Sequence, residues 1–100
     1  MNDKDMEERL KLHKQMDDAI NKTFSGDKKE RETGRQELEK LRGQDEAVPF
    51  FIGYAHKREY DLTGNIDDAE KALKEYNNIV DDHYDFLKAA IHDLKAKTGK

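Results

Sequence analysis

From Leu73 onward, the positions Leu73, Tyr76, Val80, His83, Leu87, Ala90 and Leu94 follow one another at alternating steps of three and four residues, without a slip. A strand turns its side chains over at every second residue, whereas an α-helix returns to one face after about 3.6. This spacing is the a/d seam of a helix that packs on another helix. The same rule reads earlier segments. Met6, Leu10, His13, Met16, Ile20 and Phe24 predict a helix from about Asp3 to Phe24, with those residues on its buried face. Leu38 and Leu41 anchor a second, from Asp27 to about Leu41, weakened by Gly34 in its middle. A third begins near Pro49, which the first turn of a helix accommodates, and carries Val48, Phe51, Ile52, Ala55 and Leu62 as its stripe. Phe50, Tyr54 and Tyr60 widen the apolar surface of that helix, which is expected to meet neighbours on two sides.

Between these stripes lie helix stops and starts. Gly26, Gly43 and Gly64 follow the last periodic residues, where a residue without Cβ ends a helix in the left-handed region. Asp27 and Asp45 are placed as N-caps, and Asn65 with Asp68 has the spacing of a capping box. Whether residues 65–97 form one helix or two stays open on spacing alone. Asn77, Asn78, Asp81 and Asp82 make a poor helix interior and favour a break there, while an unbroken helix invites a homodimer along the Leu73 to Leu94 seam. The expectation is an all-α fold, a compact bundle or short array of about five helices joined by glycine-capped turns, with residues 1–100 as a single helical domain.

Composition sets limits on function. Apolar residues are 34% of the 100 and charged residues 42%, so few apolar side chains are spare once a core is made. Cysteine is absent, which excludes disulfides and thiolate metal sites. No apolar run approaches the roughly 18 residues of a membrane span, and the first residues lack a secretory leader, so a cytoplasmic protein is expected. Net charge is −4, unevenly spread. Asp61, Asp67, Asp68, Glu70, Glu75, Asp81, Asp82 and Asp85 face only Lys71 and Lys74 across residues 61–86. Basic residues form no continuous face of the sort that tracks phosphates, which argues against direct nucleic-acid binding.

Three stops resemble one another: Phe24-Ser25-Gly26-Asp27, Leu62-Thr63-Gly64-Asn65 and Lys97-Thr98-Gly99-Lys100, their glycines 38 and 35 residues apart. The run Tyr60-Asp61-Leu62-Thr63-Gly64-Asn65-Ile66-Asp67-Asp68-Ala69, followed by Leu73, resembles the middle of a degenerate tetratricopeptide (TPR-like) helical repeat. In that resemblance Gly64 makes the turn and Ala69 lets two helices approach. His56, Lys57 and Asp81 depart from the family's pattern, as does Arg31 in the first echo. The resemblance implies peptide or protein binding in a groove, without catalysis.

Chemistry-bearing groups are sparse. The single serine, Ser25, sits in a turn, and no glycine-rich phosphate loop is present. His13, His56, His83 and His92 match no helical metal-ligand spacing, and half-buried helix positions account for them; no catalytic residue, metal ligand or cofactor is assigned. The chain is read as a non-enzymatic interaction module, an adaptor or regulator. Phe50, Tyr54 and Tyr84 lie off the main stripes and, with Asp61, Asp67, Asp68, Asp81, Asp82 and Asp85, are the expected contact residues for a partner protein with a basic surface. Two alternatives carry different consequences. An acidic inhibitor mimicking nucleic acid needs its carboxylates in one continuous stripe, and a metal or small-ligand protein needs a site around His83.

Overall fold

The computed structural model describes residues 3–79 and 85–99, and these are helical almost throughout. The helices are α1 (Asp3–Thr23), α2 (Lys28–Lys40), α3 (Val48–Thr63), α4 (Ile66–Ile79) and α5 (Asp85–Thr98), and no strand occurs among the described residues. The all-α expectation therefore holds. The chain divides into two compact units, Met1–Val48 and Pro49–Lys100, the division falling at the start of α3.

In the first unit α1 and α2 form a helical hairpin. The turn is built locally: the Ser25 hydroxyl accepts from the Asp27 amide at 3.0 Å and donates to Glu30 at 2.9 Å. Asp27 then caps α2 by accepting from the Lys29 amide at 3.1 Å. Arg31, buried, donates from Nη1 to the Ser25 carbonyl at 3.1 Å and closes the turn from the α2 side. Gly26 is not in the left-handed region, so the expected glycine cap after the first helix is replaced by this serine-centred turn. Gly43 and Gly64, by contrast, have φ of 89° and 74°, and Gly99 has 75°. The first of the three echoing stops thus differs in backbone conformation from the other two.

Gly34 is where the hairpin closes. A Cβ at that position would lie 2.7 Å from the Ala19 carbonyl oxygen, 2.8 Å from Lys22 Cβ and 2.9 Å from the Thr23 amide nitrogen. The residue that costs α2 intrinsic stability is what lets the two backbones meet. Met16, Ala19 and Thr23 are accordingly the buried face of α1. Met6, Leu10, His13 and Phe24, expected on that face, are exposed, because the small residues Ala19 and Thr23 set the crossing about a quarter turn away.

In the second unit α4 and α5 pack on each other through Ala69, Ala72, Leu73, Tyr76, Ile91 and Leu94, with Phe50 and Tyr60 of α3 against the same cluster. Residues 65–97 therefore hold two helices, and the described part of the heptad seam is consumed inside the unit. Val80 and His83 lie outside the described residues. Helix α3 approaches α4 at Gly53, where a Cβ would stand 2.7 Å from the Tyr76 ring and 3.2 Å from Glu75 Cβ. A second side of α3 is buried too, through Val48, Ile52, Ala55 and Glu59. Helix α4 starts as its cap requires, Asn65 Oδ1 accepting from the Asp67 amide at 3.0 Å. Asp68 does not close a capping box: its carboxylate meets His56 Nδ1 at 3.1 Å instead.

Candidate interaction surface

Along α3, Phe50, Tyr54, Lys57 and Asp61 recur at steps of four, three and four and therefore share one face. Phe50 is the hinge between surface and interior. Its ring meets Phe51 edge-on at 5.4 Å, stacks on Tyr54 at 6.5 Å and tilts against Tyr76 at 6.2 Å. Tyr54 stays 40% exposed while stacked, so an aromatic ring is held in place at the surface with little left to order on contact. Tyr76 beneath is 2% exposed, and burial, with lesser contributions from Tyr54 and Asp61, pushes its phenol up to about 12.

The polar end of this face is partly neutralised within the chain. Lys57 Nζ pairs with Asp61 at 3.2 Å. Lys97 from α5 lies 5.7 Å from the centre of the Tyr60 ring and pairs with Asp93 at 3.0 Å, and the Asp93 hydrogen bond holds the Lys97 ammonium above its ordinary value. Beyond Asp61 the chain turns through Gly64, and on either side of that turn Leu62 and Ile66 are exposed, Leu62 by 55%. Leu62 was expected in the buried stripe; it lies past the last turn of α3 that the unit covers. Asp67 stands exposed beside Ile66 in the first turn of α4.

Of the expected contact residues, Phe50, Tyr54 and Asp61 are brought onto one face, with Asp67 across the turn. Asp68 is half-buried and committed to His56. Asp81, Asp82 and Tyr84 lie outside the described residues, as does the side chain of Asp85. The described acids make no single stripe, since Asp68 and Glu75 are half-buried facing α3 and Glu70 lies on another side of α4. Spacing missed Leu62 and Ile66 as surface residues, and it missed the His56 and Asp68 pair, whose members are twelve positions apart on different helices.

Elsewhere, a cleft of about 450 Å³ in the first unit is lined by Asp18, Lys22, Glu37 and Lys40 with Gln15, Leu41 and Gln44. Its charges are mixed, and Lys22 and Glu37 are paired to each other at 2.6 Å. Among the described residues no group of three or more His, Asp or Glu could hold a metal ion, and no helix is long and apolar enough to cross a membrane. Comparison with protein families, curated proteins and solved structures returns no match to this chain.

Proposed function

We propose that the chain is a protein-interaction module, and that its contact surface runs along α3 from Tyr54 over Asp61 to Leu62, Ile66 and Asp67 at the α3–α4 turn. The observation that carries this reading is the exposed Tyr54 ring fixed by its stack on Phe50. Aromatic anchors that are already ordered lose little side-chain entropy on binding, and they dominate interface energetics. Leu62 and Ile66 add exposed apolar area to the same end, and Asp61 and Asp67 supply negative charge for a basic partner. The module acts as an adaptor or regulator by occupying a partner's surface.

A photo-crosslinking amino acid at position 54 tests this in extract of the native cells. It should trap a defined polypeptide, and retention of that polypeptide on resin bearing the chain should drop at least about tenfold with Tyr54→Ala or Leu62→Glu, as expected for a contact anchor. Retention should also weaken as salt is raised. Equal retention by wild type and both variants sinks the proposal.

A further inference from the structure

Helix α1 carries a second periodic face that the hairpin leaves at the surface. Met6, Leu10, His13, Asp17, Ile20 and Phe24 recur at steps of four and three, about a quarter turn from the Met16, Ala19 and Thr23 face that packs on α2. Met6 is 55% and Leu10 63% exposed, His13 and Asp17 are exposed, and Ile20 is half-buried. Large apolar side chains at coiled-coil spacing on an exposed helix face define a surface for another helix.

The charges on α1 say which helix. From Asp5 onward, after Asp3 and Lys4, they alternate in blocks along the axis: acidic at Asp5, Glu7 and Glu8, basic at Arg9, Lys11 and Lys14, acidic again at Asp17 and Asp18, and basic at Lys22. Such a sequence is complementary to itself when reversed. Two copies of α1 laid antiparallel about Gln15 set Met6 against Phe24 of the second copy and Leu10 against Ile20. At the centre, His13 and Lys14 of each chain then meet Asp17 of the other. A parallel, in-register pair would set every block against its own sign, with Asp17 on Asp17. Like charges held opposite one another are unfavourable, so one orientation is selected.

We infer that this chain self-associates through α1, forming a symmetric antiparallel dimer centred on Gln15 in which His13 of each copy faces Asp17 of the other. The stripe from Met6 to Phe24 is about 27 Å long at roughly 1.5 Å per residue, and a single helix pair of that length is smaller than a standard interface of about 800 Å² per partner. The dimer is therefore weak and depends on concentration. It uses a surface separate from the α3 contact face and does not rest on that proposal.

Sedimentation equilibrium of the full chain from about 10 μM to about 1 mM, the range in which weak association is read, gives the test. The wild-type mass should rise from 11.7 kDa toward twice that value. Leu10→Glu, Asp17→Lys and His13→Asp should each weaken association at least about tenfold, the loss expected when a central apolar or charged contact is removed from both symmetric positions. All three sites are exposed, and unchanged far-ultraviolet circular dichroism verifies that each variant folds. The orientation is read from a mixture. In the antiparallel register Asp17→Lys chains repel one another, as do His13→Asp chains. When the two are combined, His13 of the first variant faces Asp17 of the second, and the introduced lysine faces the introduced aspartate. Their equimolar mixture should therefore recover at least wild-type association. A wild-type chain that stays at 11.7 kDa throughout overturns the inference, as does a mixture no stronger than either variant alone.

Discussion

Each unit of this chain brings two helices together over a glycine in mid-helix, but the two glycines meet different things. Gly34 in the hairpin faces backbone, the Ala19 carbonyl and the Thr23 amide, at 2.7 and 2.9 Å from where a Cβ would stand. Gly53 in the second unit faces mainly the Tyr76 ring, at 2.7 and 2.9 Å. Backbone atoms on a helix move only if the helix moves, whereas a ring can tilt within its well. The hairpin therefore depends on the absence of a side chain at one point, and the three-helix unit depends on the presence of one, Tyr76. An identical local signal, glycine where a helix would prefer alanine, marks a contact set by the backbone in one case and a socket for an aromatic ring in the other.

The largest effect should come from emptying that socket. Tyr76→Ala removes a 2% exposed ring against which Phe50 and Gly53 pack, and large-to-small changes of this kind cost about 3–5 kcal/mol. Equilibrium denaturation monitored by hydrogen exchange should show the loss in amides of α3, α4 and α5; protection lost equally from α1 and α2 would break the distinction between the units. The same residue gives an alkaline signature. Its pKa is raised to about 12 from an ordinary 10.0, so the folded chain keeps a proton that the unfolded chain releases. Stability from this source is intact below pH 10 and falls as pH climbs from there toward 12. In an ultraviolet titration Tyr76 should ionise at higher pH in the folded chain than once the chain is unfolded.

Gly34→Ala comes next, at about 2 kcal/mol, because overpacking against backbone outweighs the roughly 1 kcal/mol that alanine adds to a helix. Gly53→Ala should cost less, about 1 kcal/mol, since the obstructing atoms belong mostly to a side chain. The sharper result lies in combination. With Tyr76→Leu in place, Gly53→Ala should become neutral or stabilising, while Gly34→Ala should cost the same in either background. Equal costs for the two glycines in the wild type, or no coupling between Gly53 and Tyr76, would remove the contrast.

That contrast also explains which features are legible in the sequence. Helix ends were legible where their chemistry is complete within a few residues: Asp27 on Lys29, Asn65 on Asp67, and the left-handed Gly43 and Gly64. The α4–α5 core was legible through Leu73, Tyr76 and Leu94, since large apolar residues at heptad spacing announce themselves. The packed face of α1 was legible only at Met16. The rest of its close crossing selects small residues, Ala19, Thr23 and Gly34, while the large apolar side chains at helical spacing, Met6, Leu10 and Phe24, stay at the surface. For the candidate site, Phe50, Tyr54 and Asp61 share a face that follows from their spacing alone. The commitment of Asp68 to His56, and the exposure of Leu62 beyond the packed part of α3, depend on how two helices meet and leave no local trace.

The two units also differ in how their helices are tied by charge, and here the expected effects are smallest. His56 and Asp68 join α3 to α4 at 3.1 Å with side chains only 16% and 18% exposed, whereas Lys22 and Glu37 join α1 to α2 at 2.6 Å with 35% and 34% exposed. The shorter distance does not make the stronger tie, because water and salt reach the hairpin pair and screen it. Asp68→Asn should cost about 1 kcal/mol and change little between low and high salt, since a partly buried hydrogen-bonding group loses its partner. Glu37→Gln should cost less, and its cost should vanish in high salt. Lys22 is held above its ordinary value, first by the Glu37 hydrogen bond, so its contribution is fully present below pH 10.5 and is lost only as pH rises past that value. Near neutrality Lys22 keeps its proton, so ionic strength and not pH should loosen the hairpin tie. A Glu37→Gln loss that exceeds that of Asp68→Asn and survives high salt would show that the exposed pair, and not the sheltered one, fastens its helices.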